Sequence, residues 1–131
     1  EITPFLLNQT NWFFDMVGRV HKAGIPIMAG TDTPIAYLTP GRSLHEELAV
    51  LVEAGLTPLE ALKTATINPA LYFNLQDKLG RIKENFWADL LILDANPLEE
   101  INNTLRINAV IKQGYYQKRA AIFDRLQTIH Q

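Results

Sequence analysis

The chain has 131 residues, 47% hydrophobic and 20% charged, the make-up of an ordinary globular protein with room for one real core. A net charge of −2 without any run of like sign argues against a nucleic acid or an anionic membrane as partner. No apolar stretch reaches the ~18 residues of a membrane-crossing helix. The lack of cysteine excludes disulfides and thiolate chemistry but does not set the compartment, with the cytoplasm slightly favoured. The chain opens on Glu1 rather than Met and shows no signal peptide, so we expect a piece of something longer.

Residues 1–7 read as a loop leading into a helix. From about residue 10 to 23 the spacing is helical. Phe13, Val17 and Val20 share a face with Met16 beside them, and Asn8, Thr10 or Asn11 supplies the cap. Lys22 sits in the last turn and Gly24 stops the helix. Next comes a compact apolar run, Ile25, Ile27, Met28 and Ala29, with a glycine on each side. This pattern predicts a short strand over 25–29, buried on both faces as in a parallel sheet. Asp32 then falls at the strand's carboxyl end, where α/β sheets and barrels keep their chemistry. On its own, Asp32 reads more simply as a turn or capping residue before Thr33-Pro34.

Residues 33–42 hold two prolines, a glycine and Tyr37, and read as a long loop of the kind that often carries function. Two capping boxes follow. Ser43-Leu44-His45-Glu46 predicts a helix to about Ala54, with Leu44, Leu48, Leu51 and Val52 facing the core. His45 would be at N2 of that helix, where a locally bonded histidine is the plain reading. Thr57-Pro58-Leu59-Glu60 predicts a second helix to about Thr66, with Leu59, Leu62 and Ala65 inward. Asn68-Pro69 opens a third, to about Phe73. Glu46 and Glu60 serve the caps, and His21 and His130 are expected at the surface.

Beyond Asp77 the character changes. Residues 79–83 read as a short strand, Glu84-Asn85 as a turn and 88–94 as a buried strand. Asp89 and Asp94, near that strand's ends, should hydrogen-bond turns. Residues 107–112 form a further strand, and Gln113-Gly114 a hairpin turn into Tyr115-Tyr116. From Gln117 to about Ile129 the spacing is helical again. Phe86, Trp87, Tyr115 and Tyr116 belong either to a sheet core or to a partner-facing surface. A seam at about 75–80 separates a helical part from a β-part.

Several blocks, taken together, carry a family resemblance. They are Ala29-Gly30-Thr31-Asp32-Thr33; Gly41-Arg42-Ser43-Leu44-His45-Glu46-Glu47-Leu48; VEAGLTPLEALKTATINPA from Val52; GRIKENFWADLLILDANPLEEI from Gly80; and VIKQG from Val110. In this order they resemble the C-terminal part of the metal-dependent amidohydrolases, in the imidazolonepropionase- or prolidase-like group. The resemblance implies an α/β fold: the C-terminal portion of a (β/α)8 metallo-hydrolase barrel plus part of the small β-sandwich, or composite, domain. Residues 1–78 would be the barrel segment, with the last barrel strand at about 25–30. Residues 79–131 would be the chain's share of the sandwich with a terminal helix. Where the family often has Pro-Gly-Lys, this chain has Glu84-Asn85-Phe86, and Asn can serve a positive-φ turn.

By the same resemblance, Asp32 matches the family's strand-eight aspartate, a ligand of the catalytic metal that exchanges a proton with the metal-bound water. Thr31, Tyr37 and His45 are the companion candidates for contact with substrate or support of the metal. The cofactor implied is a divalent metal, zinc first. The partners implied are a small-molecule substrate and either the rest of the barrel or further copies of the chain. The family also needs a His-x-His pair and further Lys or Glu and His ligands. His21, His45 and His130 make no such pair, and a catalytic zinc usually takes three protein ligands. The isolated chain is therefore expected to be inactive and to self-associate through exposed barrel edges. Two readings stand side by side. The first is a fragment of a hydrolase that cleaves C–N bonds of a cyclic amide or dipeptide-like substrate. The second is a catalytically incomplete structural or binding module. Hydrolysis of phosphotriesters or lactones is a third, allowed by the same chemistry.

Overall fold

The computed structural model describes residues 4–35 and 38–129. Helix α1 spans Pro4–Lys22. It begins on a proline, a residue whose missing N–H costs nothing in the first turn. Residues 4–7 are helical rather than the expected loop, residues 1–3 of which lie outside the described residues, and the caps at Asn8, Thr10 or Asn11 are corrected: the helix starts before them. Gly24, at φ 73, ends it as the sequence indicates.

Residues 25–30 take no regular secondary structure, which corrects the expected strand. A strand is defined by a ladder, and no strand among the described residues lies alongside. The segment's polar groups bond to the helices instead. The Ala29 N–H donates to the Thr64 carbonyl at 3.1 Å, and the Asn68 amide donates to the Ile27 carbonyl at 2.7 Å.

Helix α2 spans Arg42–Glu53 and has Gly41 at its N-cap, with no side-chain cap bond. The first capping box does not form. Buried Ser43 turns its hydroxyl back to the Thr39 carbonyl at 2.9 Å, and Glu46 pairs at the surface with Arg42. The helix accordingly begins two residues early, and His45 is its fourth residue rather than N2. The second box forms as predicted. Helix α3 (Pro58–Thr64) has Thr57 at its N-cap, with Glu60 and Thr57 bonding reciprocally at 3.3 and 2.8 Å. The Thr57 hydroxyl also donates to the Glu60 carboxylate at 2.6 Å, and this bond, with that from the Thr57 N–H, holds the Glu60 carboxyl below the usual carboxylate range. Helix α3 stops two residues short of the expected Thr66. Helix α4 (Ile67–Tyr72) starts before the predicted Asn68-Pro69.

The core is built by Leu48 and Leu51 of α2, Leu56, Ala61 of α3, and Ile101, with Val17, Ile27, Ala29, Ala49, Val52, Leu62 and Ala65 packed around them. Leu44 and Leu59, expected inward, are exposed, and so are Phe13 and Met16 of α1. Ile101 arrives on a 3-10 helix, Ile101–Leu105, that sequence reasoning did not foresee. It is capped by Glu100, whose side chain accepts the Asn102 N–H.

The strand expected at 79–83 is absent: those residues are bends and coil, and Ile82 is 87% exposed. No strand among the described residues lies beside this run, so it has nothing to pair with there. The turn at Glu84-Asn85 is present, with Asn85 at φ 66. The sheet has three antiparallel strands in the order β1 (Leu90–Leu93), β2 (Ile107–Lys112) and β3 (Tyr115–Lys118). Ala109 is its fully buried centre. Strand β1 is shorter than 88–94 and lies at the sheet edge, so Leu91 and Ile92 are exposed rather than buried. The two-residue turn Gln113-Gly114 links β2 to β3 as predicted. Asp89 pairs with Lys112 and accepts the Gln113 N–H at 2.7 Å, and these bonds, that from Lys112 first, hold its carboxyl below the usual range. Asp94 accepts from the Asn108 amide at 2.7 Å. Asp89 thus bonds a turn as expected, whereas Asp94 is corrected: its side chain bonds Asn108 on strand β2 rather than a turn. Trp87, Tyr115 and Tyr116 are exposed, and Phe86 is half-buried. Helix α5 (Arg119–Ile129) starts two residues later than expected because Gln117 and Lys118 pair in β3.

Candidate functional site

The site is centred on the segment that leaves the core after Ala29. Its polar contacts come in order along the chain. Asn68 of α4 holds the Ile27 carbonyl, the Thr64 carbonyl holds the Ala29 amide, and Glu47 of α2 accepts the Gly30 N–H at 2.7 Å. Two residues further, Asp32 stands exposed at φ 53. The left-handed region is uncommon for residues other than glycine, and Asp is among the side chains that tolerate it. The turn closes with the Ile35 N–H on the Asp32 carbonyl at 3.2 Å, and the Thr31 and Thr33 hydroxyls bond each other across Asp32 at 2.7 Å. Among the described residues, no hydrogen bond or ion pair engages the Asp32 carboxylate. It is presented outward on a braced turn.

Thr31 is therefore where the sequence places it, next to Asp32, with its hydroxyl committed to Thr33. His45 lies on α2, half-buried; its Nδ1 is buried and unpartnered among the described residues. Burial lowers its pKa, so the imidazole is favoured neutral. No bond joins His45 to Asp32 or Thr31 among the described residues. Tyr37 and His130 lie outside the described residues. His21 is half-buried rather than at the open surface, with Nε2 3.4 Å from the Glu60 carboxylate. Sequence reasoning passed over Glu47 and took Asn68 for a helix opener. No local pattern marks a carboxylate or an amide whose partner is a backbone group 17 or 41 residues away.

A divalent metal does not fit these residues as a complete site. Among the described residues, no three His, Cys, Asp or Glu side chains gather to hold an ion. An open groove of about 490 Å³ lies instead along α1, lined by Trp12, Met16, Val20 and Ile25 among others. Its lining includes neither Asp32, Thr31 nor His45.

A helical layer that braces an acidic turn, followed by a small antiparallel sheet, defines the class as a mixed α/β unit. The chain belongs to the amidohydrolase family, whose sequence profile matches residues 13–115. It is 45% identical over 82 residues to the ochratoxinase of Aspergillus niger, covering 61% of this chain and 16% of that protein. It is 34% identical over 101 residues to the imidazolonepropionase of Rubrobacter xylanophilus, covering 71% of this chain and 23% of that one. Among solved structures it resembles a Xaa-Pro dipeptidase with methionine bound in its active site. The TM-score is 0.73 at 30% identity, over 80% of this chain and 25% of that one. The chain thus spans about a quarter or less of the length of these relatives.

Proposed function

We propose that this chain is the C-terminal portion of a metal-dependent amidohydrolase that cleaves C–N bonds of a cyclic amide or dipeptide-like substrate. Residues 1–78 make the last barrel segment, with 25–30 as its final strand once neighbouring strands supply a ladder. Residues 79–131 make the chain's share of the composite sheet domain. The observation that carries this reading is Asp32: a carboxylate without a partner among the described residues, held outward on a braced turn in a chain of this family. Relatives named ochratoxinase, imidazolonepropionase and Xaa-Pro dipeptidase support the substrate class.

Asp32 is one ligand of a shared site, and the remaining donors come from outside these residues. A divalent ion, zinc first, lowers the pKa of bound water towards neutrality when present. On this reading Asp32 is the carboxylate that would take a proton and hand it on to the leaving nitrogen once the outside donors complete the site. Thr31 holds the turn, and Tyr37 and His45 stand as substrate-side candidates.

The alternative is a catalytically incomplete module that self-associates. It is favoured by the exposed apolar surface of Trp12, Phe13, Ile25 and Met28. The enzymatic reading is tested on the intact protein with a cyclic amide and an Xaa-Pro dipeptide. Hydrolysis is expected to vanish on dialysis against a chelator and to return with zinc or another divalent ion. Undiminished hydrolysis in the chelated protein would overturn metal dependence.

A further inference from the structure

We propose that Glu47 is a positioning residue for Asp32, a role that rests on the reading of Asp32 as the reactive carboxylate. Segment 25–32 has no ladder among the described residues to fix it, so its course depends on individual bonds. Two of these, from Thr64 and Asn68, act at Ala29 and Ile27. Glu47 acts last, on the Gly30 amide at 2.7 Å, two residues before Asp32. A carboxylate accepting a backbone N–H makes one of the stronger hydrogen bonds available to it.

The other half of the same carboxylate sharpens the point. Glu47 Oε2 is buried with no partner among the described residues. An unpaired buried oxygen carries a desolvation cost that packing alone does not repay. An apolar side chain at this position of α2 would avoid that cost but would release Gly30. Glu47 therefore makes sense as the anchor that sets where the Asp32 turn leaves the helical layer. Beyond it, the Thr31–Thr33 hydroxyl pair and the Ile35 amide fix the turn's own shape. Glu47 sets its position, and they set its form.

The test uses the intact, metal-loaded enzyme carrying Glu47→Ala, Glu47→Gln or Asp32→Asn, with turnover counted per bound metal. Small misplacements of a reacting group cost up to about 100-fold, so Glu47→Ala is expected to lower kcat by about 10- to 100-fold. KM should stay within about threefold, because the loss is in the reacting geometry rather than in substrate binding. Glu47→Gln retains an oxygen that can accept the Gly30 N–H, and it should recover most of the loss. Hydrogen exchange of the peptide carrying Gly30 should be slow in the unsubstituted enzyme and fast in Glu47→Ala, with peptides of β2 unchanged.

An unchanged kcat per metal in a Glu47→Ala enzyme that merely melts earlier would overturn the positioning role. Free exchange at Gly30 in the unsubstituted enzyme would overturn it too, and that result stands even where Glu47→Ala fails to fold. Retained turnover in Asp32→Asn would instead overturn the reading of the site. Lost turnover in Asp32→Asn beside full turnover in Glu47→Ala would remove Glu47 alone.

Discussion

Asp32→Asn in the intact protein is expected to lower turnover by about 1,000-fold or more while leaving the fold nearly unchanged. The two halves of this expectation have separate causes. Asn keeps the shape of Asp and, like it, tolerates the left-handed backbone, so φ 53 is retained without new strain. The side chain is exposed and bonds nothing among the described residues, so folding loses little. What disappears is the charge that can bind a cation and the base that can carry a proton. Proton transfer by a placed carboxylate is worth about 100- to 10,000-fold, and loss of a metal ligand adds to that. Asparagine is the informative replacement, because alanine at the same φ would mix backbone strain into the result. Turnover and thermal unfolding measured on the same preparation separate the effects. Near-normal turnover would remove Asp32 from the site.

Gly80→Ala is expected to destabilise the protein by about 3 kcal/mol, lowering the midpoint of thermal unfolding by roughly 10 °C. Gly80 sits at φ 88, and a Cβ there would lie 2.8 Å from the Thr66 carbonyl oxygen and 2.9 Å from the Ala70 Cβ. Neither contact is with the far end of a flexible side chain, so relief requires the chain after Lys78 to lift off α4. The left-handed conformation alone costs an L-residue about 1–2 kcal/mol, and the steric clash adds the rest. Gly114→Ala supplies the comparison: φ is 83, but no atom lies within 4 Å of its added Cβ. It should show the conformational part only. Equal losses in the two variants would mean that the packing of Gly80 against α4 contributes nothing.

What the sequence made legible follows from how local each determinant is. Thr57 and Glu60 find each other within one turn, so that helix start was readable. So was the Gln113-Gly114 hairpin, whose two residues at positive φ set its geometry. The box at Ser43 looked the same on paper. There, however, Thr39 and Arg42 offered Ser43 and Glu46 better partners, and the helix began on Gly41. The apolar runs at 25–29 and 79–83 carry strand composition, but a strand also needs a neighbour, and none lies beside them among the described residues. The 3-10 helix that brings Ile101 to the core has no periodicity long enough to read. At the site, Asp32 was singled out because a Gly–Thr–Asp after an apolar run is a local signal, and the structure places it exposed on a turn. Glu47 and Asn68 were not, because their partners lie far along the chain and the bonds end on backbone atoms.

We propose Asp32 as one ligand of a metal site completed by residues outside this chain. Metal content and amide hydrolysis, measured on the 131-residue chain beside a form extended to a complete barrel, test it most directly. Metal and turnover in the extended form alone are the predicted result. One bound metal per chain with turnover in the 131 residues by themselves would contradict it.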